Sequence, residues 1–131
     1  MQVRKVLNIE DVVTKHIAVR RALERCGVLY IDHADNAVEG LDMIEAAIAE
    51  GMPYDLIVSD MYFPMSKGGS EVQAGMYVIE ELQARGISVP VVVCSSARMV
   101  IPEIVGCIHY NPARNDLDAD MREFVDIVKS M

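Results

Sequence analysis

Two acidic signals in the chain have the types and positions to do chemistry. Glu10 and Asp11 close the apolar run Lys5-Val6-Leu7-Asn8-Ile9, and Asp60 closes the run Leu56-Ile57-Val58-Ser59. Such runs read as buried parallel strands, each delivering its acid to the carboxyl edge of a sheet, where open α/β folds bind their ligands. Three carboxylates converging on that edge repel one another unless a cation stands between them. Oxygen-only donors suit Mg2+, which keeps several waters and joins protein carboxylates to phosphate groups. Taken singly, Glu10 and Asp11 are equally an ordinary helix-entry pair, because acids favour the positive end of a helix. Asp60 resists so plain an account, since an unpaired charge at the end of a fully apolar strand is costly to bury.

The elements that must position these acids alternate regularly. After the first strand, Val12, His16, Val19, Leu23 and Cys26 recur at steps of four and three, predicting a helix stopped by Gly27. Val28 to Ile31 reads as a second strand. Asn36 then fits a helix N-cap with Glu39 as its capping-box partner, and Leu41, Ile44 and Ile48 share one face of the helix it opens. The third strand, Asp55 to Ser59, leads through a long polar loop to a helix marked by Met76, Ile79 and Leu82 and closed by Gly86. Pro90 to Cys94 and Cys107 to Tyr110 complete the strands. Asn115 is placed to cap a last helix carrying Leu117, Met121, Phe124 and Val128. One stretch is weak: Ala97 to Val105 contains Pro102 and is short for a crossover helix.

Alternation of this kind predicts a doubly wound parallel sheet in one α/β domain over residues 1–131. With five strands the flavodoxin-like order 2-1-3-4-5 is favoured. Its switch point, between strands one and three, is where Glu10, Asp11 and Asp60 would meet.

A net charge of −8 speaks against nucleic acid as a direct partner, and no stretch has the length of a membrane-spanning helix. Cys26, Cys94 and Cys107 are odd in number and lack metal-ligand spacing, which reads as reduced, packed thiols in a cytoplasmic protein. The dispersed Met residues read as core filler. His16, His33 and His109 suggest neither a metal cluster nor a phosphohistidine.

The segment Lys5 to Asp11, Asp60 with Pro64 four residues on, and Pro90 to Ser95 together resemble the receiver domain of bacterial two-component response regulators, over nearly the whole chain. The resemblance implies that Asp60 accepts a phosphoryl group from a sensor histidine kinase or a phosphotransfer protein. It further implies that Asp11, Asp60 and the backbone carbonyl of Tyr62 ligate Mg2+, with Glu10 reaching the ion through water. Ser95 falls at the family's switch hydroxyl, and its implied role is to donate to a phosphoryl oxygen.

Three departures bear on what the resemblance implies. Asn111 stands where the family has a lysine, just before the proline that follows strand five. An amide there donates a hydrogen bond but brings no charge, and Lys67, Arg98 and Arg114 are the candidate substitutes. The segment from Met65 to Ala74 is an inserted, Gly-rich stretch, either a surface insertion or a lid. The fourth helix is truncated or absent, and the aromatic switch position is taken by Ile108. The expectation is therefore a stand-alone phosphoaspartate receiver, not an enzyme beyond its own phosphorylation and dephosphorylation, signalling through a separate downstream protein. The alternative is a degenerate receiver acting as an interaction module without phosphate. A small hydrolase built on Asp60 is disfavoured because Tyr62, not an acid, stands two residues on.

Overall fold

The computed structural model describes residues 1–113 and 117–131. Five parallel strands form the main sheet: β1 (Lys5–Ile9), β2 (Tyr30–Ala34), β3 (Leu56–Ser59), β6 (Val91–Ser95) and β7 (Gly106–His109), in the order β2-β1-β3-β6-β7. A separate two-stranded hairpin, β4 (Phe63–Pro64) with β5 (Glu71–Val72), lies between β3 and the next helix. With the hairpin set aside, the predicted order 2-1-3-4-5 is the one observed.

Period-two alternation divides the core between the two faces of the sheet. Leu7, Ile9, Ile57, Val91 and Val93 pack with α2 (Ala37–Ala49) and α3 (Ala74–Ala84). Val6, Leu56, Val58, Val92 and Cys94 pack with α1 (Val13–Arg25) and α4 (Asp118–Lys129). The central strands β3 and β6 are apolar and buried at nearly every position because both their faces are covered.

Local signals explain most boundaries. Asn36 caps α2, accepting the backbone N–H of Glu39 at 2.9 Å, while its own amide donates to the Glu39 carboxylate at 2.7 Å. The reciprocal arm of this capping box thus runs through the Asn36 side chain rather than its backbone. The second strand begins two residues later than expected, at Tyr30, and runs to Ala34. Val28 belongs to the closing turn of α1: Gly27 adopts φ 86°, and the Val28 N–H returns to the Leu23 carbonyl at 3.2 Å. The strand's far half, Asp32 and His33, is polar because β2 is an edge strand.

The segment between β6 and β7 contains no helix, as its Pro102 and shortness foretold. Ile101 and Ile104 tuck partly against the core, whereas Val100 is 95% exposed. The inserted stretch after Pro64 is the β4–β5 hairpin, held to the start of α2 by the Val38 N–H, which donates to the Met65 carbonyl at 2.9 Å. Phe63 anchors it in the core. The last helix has Leu117 at its N-cap with no side-chain cap, and acids Asp118 and Asp120 in its first turn; Asn115 and Arg114 lie outside the described residues.

Candidate functional site

Register brings the acids together. Ile9 pairs with Ser59, and the Asp60 N–H donates to the Ile9 carbonyl at 3.0 Å, so the loops after β1 and β3 leave the sheet side by side. Carboxylate oxygens of Glu10, Asp11 and Asp60 lie within 4.8 Å of one another. Asp60 is fixed locally: its Oδ1 accepts the Met61 N–H at 2.7 Å, and the Ser59 hydroxyl donates to its carbonyl at 2.7 Å. The opening of α3 presses on this loop from beneath. The Gly75 N–H donates to the Met61 carbonyl at 2.9 Å, and a Cβ at position 75 would stand 2.8 Å from the Met61 Cα. Only glycine fits so close to backbone.

A lysine not singled out by its sequence pattern occupies the centre of the cluster. Lys15, in the first turn of α1, is buried with its Nζ 2.9 Å from Glu10 Oε1 and 3.2 Å from Asp60 Oδ2. It also donates to the Cys94 carbonyl at 2.7 Å and sits 5.1 Å from the centre of the Tyr110 ring. Its position is in phase with the buried residues Val19, Ala22 and Leu23. A lysine on the core face of a helix is sensible only if anions await it, and that was the signal available in the sequence.

Electrostatics within the cluster pull in opposite directions. Burial pushes the Glu10 carboxyl up to about 7, against the Lys15 ammonium that lowers it, and the Asp60 charge adds to the rise. Burial pushes the Lys15 ammonium down, but the carboxylates of Glu10 and Asp60 outweigh it and raise it above its usual range. Glu10 Oε2 accepts the Val12 N–H at 3.2 Å. Oε1 is fully buried and, though close to Nζ, accepts no well-directed hydrogen bond. Three carboxylates offering oxygens within 4.8 Å of one another are a hard, oxygen-only donor set that fits a small divalent cation.

Beneath the cluster two histidines stack, His16 on His33, with centroids 3.7 Å apart. Asn8 donates through its amide to the Val58 carbonyl at 2.8 Å, so its Oδ1 accepts from His16 Nδ1 at 2.7 Å. His33 Nε2 donates to the Glu10 carbonyl at 2.7 Å. Desolvation pushes the His16 imidazole down to about 4, assisted by His33 and Arg20.

The other expected residues are less tightly gathered. Ser95 is buried at the end of β6, where its hydroxyl accepts the Ala97 N–H at 3.3 Å. Tyr62 follows Asp60 in the loop with its side chain exposed. Asn111 is exposed, and its Oδ1 accepts the Ala113 N–H at 3.0 Å, closing a local turn. Lys67, at the hairpin tip, and Arg98 are both exposed and form no ion pair among the described residues. Ile108 is buried in the core. Cys94 alone of the three thiols is fully buried, and burial pushes it up to about 12; Cys26 and Cys107 are half-buried.

Similarity to known proteins lies in the fold rather than in the sequence. No protein-family model matches the chain, and no curated protein resembles it in sequence. Solved structures do match. A two-component response regulator from Legionella pneumophila superposes with a TM-score of 0.67 at 18% identity, covering 98% of this chain and 99% of its own. The fold is that of a response-regulator receiver domain. The response regulator TrrA from Thermotoga maritima, in complex with Mg2+ and BeF, gives a TM-score of 0.71 at 17% identity, covering 95% and 98%. The phosphorylated cyanobacterial phytochrome response regulator RcpA gives 0.63 at 18%, covering 98% and 91%. The receiver fold therefore extends over nearly the whole chain, and it places Asp60 at the carboxyl end of the central strand.

Proposed function

We propose that the chain is a phosphoaspartate receiver that takes a phosphoryl group on Asp60 from a sensor histidine kinase or phosphotransfer protein, with Mg2+, and signals by binding a downstream protein. The observation that carries this reading is the convergence of Glu10, Asp11 and Asp60 at the β1–β3 switch point, with Asp60 accessible enough to react. A carboxylate oxygen of Asp60 attacks phosphorus as the bond to the donor breaks, and the donor leaves with the electron pair. Asp11 and Asp60, with Glu10 behind them and the Tyr62 carbonyl alongside, are the residues to hold Mg2+. The ion would offset charge on the phosphoryl oxygens. Ser95, at the end of the adjacent strand, is the hydroxyl assigned to donate to a phosphoryl oxygen. TrrA with Mg2+ and BeF, and the phosphorylated RcpA, share the fold and support the reading.

A second reading has one observation in its favour. Lys15 already pairs with both Glu10 and Asp60, so the cluster is partly neutralised without a metal, as an interaction module that no phosphate switches would require. Incubation with Mg2+ and acetyl phosphate separates the two. A single added phosphoryl mass in the wild type, absent from Asp60→Asn, is expected. An unlabelled wild type that also fails to bind Mg2+ would leave the interaction module standing.

A further inference from the structure

We propose that Lys15 supplies, from the first turn of α1, the fixed positive charge that pairs with the phosphoryl group on Asp60, and that Asn111 has no part in that pairing; this rests on the phosphoacceptor reading of Asp60. Among the described residues Lys15 is the one cation at the site. Its Nζ stands 3.2 Å from Asp60 Oδ2, whereas Lys67 and Arg98 are exposed and Asn111, also exposed and uncharged, has its side chain turned onto its own loop through Oδ1.

The charge balance makes the ammonium more than a partner for Glu10. Phosphorylation converts the singly charged carboxylate of Asp60 into an acyl phosphate with about two negative charges. The added oxygens are built outward from a carboxylate that Nζ already touches. Lys15 can exchange one of its present acceptors for a phosphoryl oxygen without leaving the pocket. Those acceptors come from three strands: Glu10 after β1, Asp60 after β3 and the Cys94 carbonyl in β6. The ammonium is thus held in place before the reaction, and a preorganised charge in a water-poor site acts on the transition state at little reorganisation cost. Its reach to the β6 carbonyl and the Tyr110 ring also gives the phosphoryl group a physical link to the β6–β7 side of the domain. The relay that Ile108 cannot provide has this alternative route.

A purely structural lysine would serve only to neutralise Glu10, so the test removes that duty first. Glu10→Gln and the double variant Glu10→Gln/Lys15→Met differ by the ammonium alone, with no buried carboxylate at position 10 left unpaired in either. Both are compared for labelling by acetyl phosphate with Mg2+, and for beryllium fluoride affinity by titration. Labelling in the double variant is expected to be lower by about 100-fold, the scale on which loss of one preorganised donor acts, with weakened beryllium fluoride binding. The urea midpoint also falls, because the Cys94 carbonyl loses its donor, and circular dichroism is expected to show both variants folded under the assay conditions. Equal labelling and equal affinity in the two variants would overturn the proposal and leave Lys15 a structural ion-pair partner. Should Glu10→Gln itself not label, the same pair is read by beryllium fluoride affinity alone, where equality again overturns it. A wild type that takes no phosphate is a different outcome: it removes the phosphoacceptor reading itself.

Discussion

The two sides of Asp60 are built to different standards. Toward β1, α1 and α3 the neighbouring groups are densely tied: Glu10 and Lys15 pair, two histidines stack under the loop, and Gly75 lies against the Met61 backbone. Toward β7 the crossover is a short irregular segment with Val100 in solvent and Asn111 turned onto its own loop. The contrast teaches where order is needed for chemistry and where it is not. Charge must be held in register with the nucleophile, so the dense side carries it. The open side is irregular and leaves apolar surface exposed at Val100.

The sharpest way to break this comparison is to disturb the dense side by a single methyl group. Gly75→Ala drives a Cβ into the backbone after Asp60, and overpacking of this kind costs about 1–3 kcal/mol. A lower urea midpoint together with slower phosphoryl labelling is expected. A variant as stable and as reactive as the wild type would show that the loop has room the structure denies it.

Protonation gives a smaller effect, confined to the same side. The Glu10 carboxyl is raised from its usual 4.5 to about 7, so the folded protein holds a proton that the unfolded chain has released. Its contribution to stability is full below about pH 4.5 and is lost as the pH rises to about 7. His16 runs the other way: lowered from 6.5 to about 4, it contributes fully above about pH 6.5 and loses that as the pH falls toward 4. The two slopes oppose each other over nearly the same window. Relative to wild type, Glu10→Gln should gain stability as the pH rises through this range, and His16→Gln should lose it. Urea midpoints measured from pH 4 to 7.5 test both, and two parallel curves would contradict the assignment.

The smallest effect belongs to the open side. Val100→Ser should shift stability by no more than about 0.5 kcal/mol, as for an exposed site without special contacts. A loss well beyond this in thermal or urea unfolding would mean that the crossover is packed after all.

How far the sequence could be read follows the same division. Asp60 was legible because an acid that closes an apolar run is costly to bury without a partner, Glu10 and Asp11 only through sharing its sheet edge at the switch point, and Asn36 with Glu39 because capping is local. The missing helix after Ser95 was legible from Pro102 and length. Lys15 was overlooked because the stripe Val12, His16, Val19 and Leu23 already satisfied helical spacing. The buried face carries Lys15 and Ala22 together with Val19 and Leu23, so it shares half of that stripe and is rotated from it by only about an eighth of a turn. The hairpin was invisible because two pairs of residues, Phe63-Pro64 and Glu71-Val72, are too short to show any period. The start of β2 was misplaced because Val28 is apolar for the sake of the α1 closing turn.

One feature of α1 bears on the order in which the molecule assembles. The helix opens at Val13 with no side-chain cap and no acid in its first turn, and its third residue, Lys15, brings positive charge to the positive end of the dipole. Apart from Glu10, whose carboxylate accepts the Val12 N–H, nothing local favours that turn. Its support comes from β1, β3 and β6, segments up to 79 residues away in the chain. The opening turn of α1 therefore belongs, in folding terms, to the sheet: it becomes stable only once three strands are in register, and amide exchange should find it opening ahead of the rest of its own helix.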